Sequence, residues 1–198
     1  MVINDIRICF IGDSFVNGTG DEHALGWSGR LCVSANRELE NSITYYNLGI
    51  RRNTSLDILN RIEFEIPSRL PTTIDSRVVV SFGVNDTAME NGTTRISESD
   101  SIENFIKIVN FIQPNYELII IGPPAVNNEE HNIRIHSLNA EIKSKAKDLN
   151  VPYIELFSEL IDDKNYKKEI FENDGAHPRK NGYENLSKII EKPEDWWF

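Results

Sequence analysis

The stretch Ile8-Cys9-Phe10-Ile11-Gly12-Asp13-Ser14-Phe15-Val16-Asn17-Gly18-Thr19-Gly20 decides the fold. With Ile6 before it, its first half is a short apolar, β-rich run that reads as a buried strand. Gly12 breaks the run. Ser14 then falls just past the carboxyl end of a central strand, where open α/β sheets gather their ligands. A hydroxyl held there is placed as a nucleophile if other segments supply groups to activate it. Taken alone, the stretch fits equally a tight turn or a phosphate cradle of backbone N–H groups. It meets neither the dinucleotide fingerprint G-x-G-x-x-G nor the P-loop pattern.

Working outward, strand-like and helix-like segments alternate, the pattern of an α/β sandwich around a parallel sheet. Trp27 to Leu39 reads as a helix with Leu31, Cys32, Ala35 and Leu39 on one face. Thr44 to Leu48 reads as the second strand. A second helix carries Leu56, Ile58, Leu59, Ile62 and Ile66, with Thr54 or Ser55 as its N-cap. Arg77 to Phe82 is the third strand, its Val78-Val79-Val80 run suited to a sheet covered on both faces. A long polar segment from Asn85 to Asp100 follows and suggests a functional loop. Ile102 to Ile112 and Ile133 to Leu149 read as helices, Leu118 to Ile121 and Val151 to Leu156 as strands, and Lys180 to Ile190 as a closing helix.

At 198 residues the whole chain, 1–198, reads as one domain with room for a full core. The formal net charge of -10 argues against a nucleic-acid partner and against docking on anionic membrane. Cys9 and Cys32 form no C-x-x-C pair and suggest no disulfide framework. No signal peptide or membrane-spanning run is seen, so a cytoplasmic protein is expected. His23, His131 and His136 lack ligand-like spacing, and no metal is expected. Trp27 suits the core better than the pocket, although it lies near enough in sequence to line the pocket. His131 falls in the loop after the fourth strand and could face the site. The tail Asp195-Trp196-Trp197-Phe198 is expected to dock on its own domain or on a second copy, as a homodimer contact.

Strands of a parallel sheet end on one side, so the segments after them gather along one rim. Polar groups recur there: Ser14, Gly49 in Asn47-Leu48-Gly49, Asn85 in Gly83-Val84-Asn85-Asp86, and the late run Asp174-Gly175-Ala176-His177. Acyl transfer from an ester needs a nucleophile, a base and donors for the oxyanion. Ser14 fits the first role and His177 the second, with Asp174 three residues earlier to orient the imidazole. Ser14 N–H, Gly49 N–H and the Asn85 amide fit the third. Each of these short motifs occurs by chance as a turn; their joint order along the chain is what carries weight.

Those four blocks resemble the SGNH hydrolases, also called the GDSL esterase/lipase family, over nearly the whole chain. The resemblance implies a three-layer, flavodoxin-like α/β/α sandwich with five parallel strands in the order 2-1-3-4-5. It implies Ser14, His177 and Asp174 as a catalytic triad, with Ser14, Gly49 and Asn85 in the oxyanion hole. It implies no metal or organic cofactor. Two departures stand out: Phe15 replaces the usual Leu, and Arg52 stands where the second block often has another Gly, beside Arg51. These arginines are candidates for contact with an acidic or phosphate-bearing part of the substrate, weighed against ordinary solvated surface residues. The leading expectation is a serine esterase acting on a small acyl ester, such as an acetylated sugar or a short-chain thioester. The alternatives are a flavodoxin-like phosphate- or nucleotide-binding module and a catalytically silent carbohydrate-binding relative.

Overall fold

The computed structural model describes residues 5–38 and 42–198. Its centre is a parallel sheet of five strands. β1 (Asp5–Gly12) lies between β2 (Ser42–Gly49) and β3 (Asp75–Ser81), and β6 (Glu117–Ile121) and β7 (Tyr153–Ile154) continue beyond β3. Counting only sheet strands, this is the order 2-1-3-4-5. A small antiparallel hairpin, β4 (Met89–Glu90) and β5 (Thr93–Thr94), is inserted after β3 and lies outside this sheet. The helices are α1 (Ser14–Asn17), α2 (Gly26–Glu38), α3 (Ser55–Glu65), α4 (Glu98–Ile112), α5 (Glu129–Asp148), α6 (Phe157–Leu160), α7 (Lys164–Glu172) and α8 (Lys180–Glu191).

The period-two geometry of a strand sorts the core into two compartments. From β1, Ile6, Ile8 and Phe10 face one side, where they meet Trp27 and Leu31 of α2, Tyr166 of α7 and Tyr183, Leu186 and Ile190 of α8. Cys9 and Ile11 face the other side, against Ile58 and Ile62 of α3 and Phe105, Ile108 and Ile112 of α4. Val79 and Ile119 join the first compartment, Val78, Val80 and Ile120 the second. Both sheet faces are therefore covered, as a continuous Val/Ile sequence requires.

Several element boundaries differ from those read in the sequence. The last strand is two residues long, not the span Val151 to Leu156. It is an edge strand paired only with β6, and Pro152 before it has no N–H to give, although its carbonyl accepts from Ile120. The segment from Asn85 to Asp100 is not one open loop: it folds into the hairpin and then enters α4 early, capped by Ser97 on the Asp100 N–H. Of the two candidate N-caps for α3, Thr54 fills the role in a reciprocal capping box with Asp57. Leu39, expected on the inner face of the first helix, lies outside the described residues.

Both cysteines are buried and free, and burial pushes each thiol up to about 12. The aromatic tail docks on its own domain. Trp196 is buried, and Trp197 and Phe198 pack against the first compartment, with the Arg77 guanidinium 5.2 Å and 5.0 Å from their ring centroids. Among the described residues, no helix is long and apolar enough to cross a membrane.

Candidate active site

Gly12 ends β1 because no side chain fits there: a Cβ would lie 2.1 Å from the Ser81 carbonyl oxygen. Asp13 then turns the chain as the N-cap of α1, its Oδ1 accepting from the Phe15 N–H at 2.9 Å. Gly18, at φ 85°, closes that single turn on the Ser14 carbonyl. Ser14 is thus held on a short, capped turn at the carboxyl rim.

The late run reaches the same place. His177 Nε2 lies 2.7 Å from Ser14 Oγ, and His177 Nδ1 lies 2.7 Å from Asp174 Oδ2. Asp174 Oδ1 also accepts from the backbone N–H groups of Ala176 and His177, an Asx turn that fixes the carboxylate beneath the ring. Partial burial raises the Asp174 carboxyl, but these hydrogen bonds outweigh it and leave the group below its ordinary value. The imidazole packs on the Phe15 ring at a tilt of 38°, centroids 4.8 Å apart. Phe15, the departure from the usual Leu, is therefore the floor under the imidazole.

The His177 run is tied down from several directions, none of them visible as a sequence motif. Glu169 Oε2 on α7 accepts from the N–H groups of Arg179 (3.0 Å) and Gly182 (2.7 Å). Glu22 accepts from the Lys180 N–H at 2.9 Å. These two carboxylates satisfy orphan donors at the start of α8, where Arg179 offers no side-chain cap. Asn173 Nδ2 donates to the His177 carbonyl and Asn127 N–H to the Gly175 carbonyl. The loop carrying Glu22 is itself braced by Asp21, which accepts from three backbone N–H groups and from Arg30. Burial alone would raise Asp21, but Arg30 and those donors hold it down at about 2.

Asn85 reaches the turn that carries Ser14 through Asp13. Its Nδ2 donates to Asp13 Oδ2 and to the Asn53 carbonyl, each at 3.1 Å. Asp13 is 2% exposed, and burial pushes its carboxyl up to about 7 against the pull of the Phe15 N–H, with Asp86 adding to the rise. Asp86, wholly buried, accepts from the Ser55 N–H and from Ser101 Oγ and so braces the Asn85 turn against α3 and α4.

Four further sequence-named residues take the following positions. The Gly49 N–H donates to Asn47 Oδ1 at 2.9 Å, and a Cβ at Gly49 would lie 2.2 Å from the Asn17 nitrogen. Gly49 thus lets α1 pack on β2, with its N–H already bound. Trp27 does not line the site. It is 1% exposed and packs edge-on against Phe10. His131 Nε2 lies 3.0 Å from both the Val84 carbonyl and Thr87 Oγ1, behind the Asn85 turn, and burial lowers its basicity. Arg52 stands on the rim, 72% exposed at its side chain and 3.3 Å from Glu90 Oε1, with φ 67°. Arg51 beside it is exposed.

Arg61 of α3 had no signature in the sequence. It donates to the Gly12 and Leu48 carbonyls at the ends of β1 and β2, and to Asn53 Oδ1. Beyond the Gly175 turn opens a groove of about 670 Å³, lined by Asn127, Ile133, His136, Phe157 and Lys167 among others; neither Ser14 nor His177 lines it. Among the described residues no three His, Cys, Asp or Glu side chains gather as a metal site.

The family model for GDSL-like lipases/acylhydrolases matches residues 10–184. Axe2, an acetylxylan esterase from Geobacillus stearothermophilus, superposes with a TM-score of 0.72 at 19% identity, over 96% of this chain and 94% of that one. A lipase/acylhydrolase from Enterococcus faecalis does so with 0.75 at 25% identity, over 93% of each chain. A lipolytic G-D-S-L protein from Veillonella parvula gives 0.73 at 17% identity, over 96% of this chain and 98% of that one. Among curated proteins no sequence matches. With the family model spanning most of its length and the sheet order agreeing, this chain belongs to the GDSL-like lipase/acylhydrolase family.

Proposed function

We propose that the chain is a serine esterase that cleaves a small acyl ester through an acyl-enzyme. The observation that carries this reading is the continuous line from Ser14 Oγ to His177 Nε2 and from His177 Nδ1 to Asp174 Oδ2, 2.7 Å at each step. Ser14 Oγ attacks the ester carbonyl and its proton passes to His177 Nε2. Asp174 holds the ring with Nδ1–H toward it and stabilises the imidazolium. The carbonyl oxygen gains charge and is met by the Ser14 N–H and the Asn85 amide. Collapse breaks the C–O bond, and the imidazolium gives its proton to the departing alcohol. Water, deprotonated by His177, then releases the acid and restores Ser14.

Donation from Asn85 requires that one of its two amide hydrogens leave Asp13 or Asn53 for the oxyanion. A short acyl group, such as acetyl, agrees with the polar character of the rim and with the likeness to an acetylxylan esterase. Arg51 and Arg52, both exposed after β2, are the candidates for contact with an anionic part of the substrate. Arg51→Ala should then slow hydrolysis of an anionic ester severalfold more than that of its neutral analogue, and equal effects refute the assignment.

The test of the activity is hydrolysis of p-nitrophenyl acetate together with covalent labelling by a fluorophosphonate. The native chain should turn over the ester and take the label, and Ser14→Ala should do neither. A native chain that takes no label refutes the reading. A parallel assay on acetyl-CoA separates thioester from oxygen-ester preference.

A further inference from the structure

The turn that carries Asn85 is gripped from outside by α5. Gly83 enters it at φ 128°, and the Thr87 N–H closes it on the Gly83 carbonyl at 3.2 Å. Thr87 Oγ1 lies 2.9 Å from the Gly83 carbonyl and 3.2 Å from the Val84 carbonyl, so its one hydrogen is given inside the turn. Two side chains from the first turns of α5 then reach across. His131 Nε2 lies 3.0 Å from the Val84 carbonyl and 3.0 Å from Thr87 Oγ1. Arg134 Nε donates to the Thr87 carbonyl at 2.9 Å. The two contacts bracket Asn85 in the chain, one on the residue before it and one two residues after it.

The chemistry of these partners fixes the state of His131. The Val84 carbonyl can only accept, and the Thr87 hydroxyl hydrogen points to backbone carbonyls. Nε2 therefore carries the hydrogen and shares it between the carbonyl and the hydroxyl oxygen. The His131 N–H is held in turn by Asn128 Oδ1, the N-cap of α5, at 2.8 Å. The ring is thus a strut between a capped helix start and the carbonyl that precedes Asn85. Val84 and Thr87 are both buried, so a carbonyl deprived of its donor there is left dry and favours a shift of the turn. The Asn85 amide inherits the placing of that backbone.

We propose that His131 is a positioning residue of the esterase: through Val84 and Thr87, and with Arg134 as a second support, it directs the Asn85 amide at the developing oxyanion. This rests on the esterase reading. Among the described residues no hydrogen bond joins His131 to Ser14, His177 or Asp174. Its influence therefore falls on the transition state, where the oxyanion exists, and not on the binding of the ester.

His131→Phe keeps a flat ring and removes the donor. The expected result is a fall in kcat of about 10–10²-fold on p-nitrophenyl acetate with KM little changed, the scale of a catalytic group displaced from its working position. His131→Gln returns an N–H near the place of Nε2 and should recover most of the loss. Asn85→Ala supplies the comparison that a merely structural role does not pass. In that background His131→Phe should lower the residual kcat little further, because the group it positions is already gone. Arg134→Met should lower kcat in the same direction and lose its effect in the same background, and it carries the test if His131→Phe yields no folded protein. Unchanged kcat in His131→Phe, no recovery with Gln, or an undiminished further loss in the Asn85→Ala background overturns the proposal. A native chain that neither hydrolyses the ester nor takes a fluorophosphonate label refutes the esterase reading itself; a labelled native chain with an unimpaired His131→Phe refutes this proposal alone.

Discussion

Ser14 and His177 stand 163 positions apart in the chain and 2.7 Å apart at Oγ and Nε2. Contact over that separation is made by the whole sheet, not by a local motif. Replacing Ser14 or His177 by Ala should reduce kcat/KM for p-nitrophenyl acetate by at least about 10³-fold while leaving the thermal midpoint within a few degrees. Asp174→Asn should cost a comparable factor, since Asn presents an N–H to the imidazole and favours the wrong tautomer. Steady-state kinetics beside thermal melts of the same preparations separate lost chemistry from lost fold.

Glu169 tests whether α7 supports the base from behind. Removing its carboxylate leaves the Arg179 and Gly182 N–H groups without their acceptor. Glu169→Ala should therefore destabilise the chain by about 1–2 kcal/mol, the scale of a lost helix cap. Glu169→Gln keeps an acceptor oxygen and should recover about half. Urea unfolding measures both.

Asp21 sets an acid limit on stability. Its carboxyl, held at about 2, lies below the ordinary carboxylate value. The folded state therefore binds its proton less readily than the unfolded chain. The stabilisation is full above about pH 4 and is lost as pH falls toward 2. Asp21→Asn should lose stability at neutral pH and show a flatter decline through that acid window, as followed by unfolding at a series of pH values.

Asp13 has the opposite sign. Burial raises its carboxyl to about 7, so between about pH 4 and pH 7 the folded chain holds a proton that the unfolded chain has lost. Stability contributed by the neutral form is present at the acid end of that window and declines as pH rises through it. Asp13→Asn removes the titration while keeping a capping oxygen for the Phe15 N–H. Its unfolding free energy should be flatter with pH across the window, and its kcat lower because Asn85 Nδ2 then faces an amide N–H where Asp13 Oδ2 accepted. A pH slope as steep in the variant as in the native chain contradicts this account.

The sequence displayed the sheet well because Val78-Val79-Val80 and the run from Ile8 to Ile11 carry their own signal, apolar on both faces and ended by glycine. Ser14, Asn85, Asp174 and His177 were legible as strand-end polar groups, and the structure brings them to one rim. What was not legible depends on partners far along the chain. Arg61 reads as an ordinary helix residue until β1 and β2 present two carbonyls to it. The hairpin at Met89 to Thr94 has too few residues for a periodic pattern. In the sequence the Gly49 N–H reads as a free donor, because the nearby Asn47 side chain gives no local sign that it will turn back onto it.

β1 is a partition as well as a support. Its backbone, bonded on both edges, separates Phe10 on one side from Ile11 on the other. A void opened on one side cannot be filled by side chains from the far side. Truncating Phe10 and, separately, Ile62 should then cost several kcal/mol each, and the double variant should cost close to their sum. This family member would tolerate drift in either half of its interior independently, provided that the wall between them stays intact.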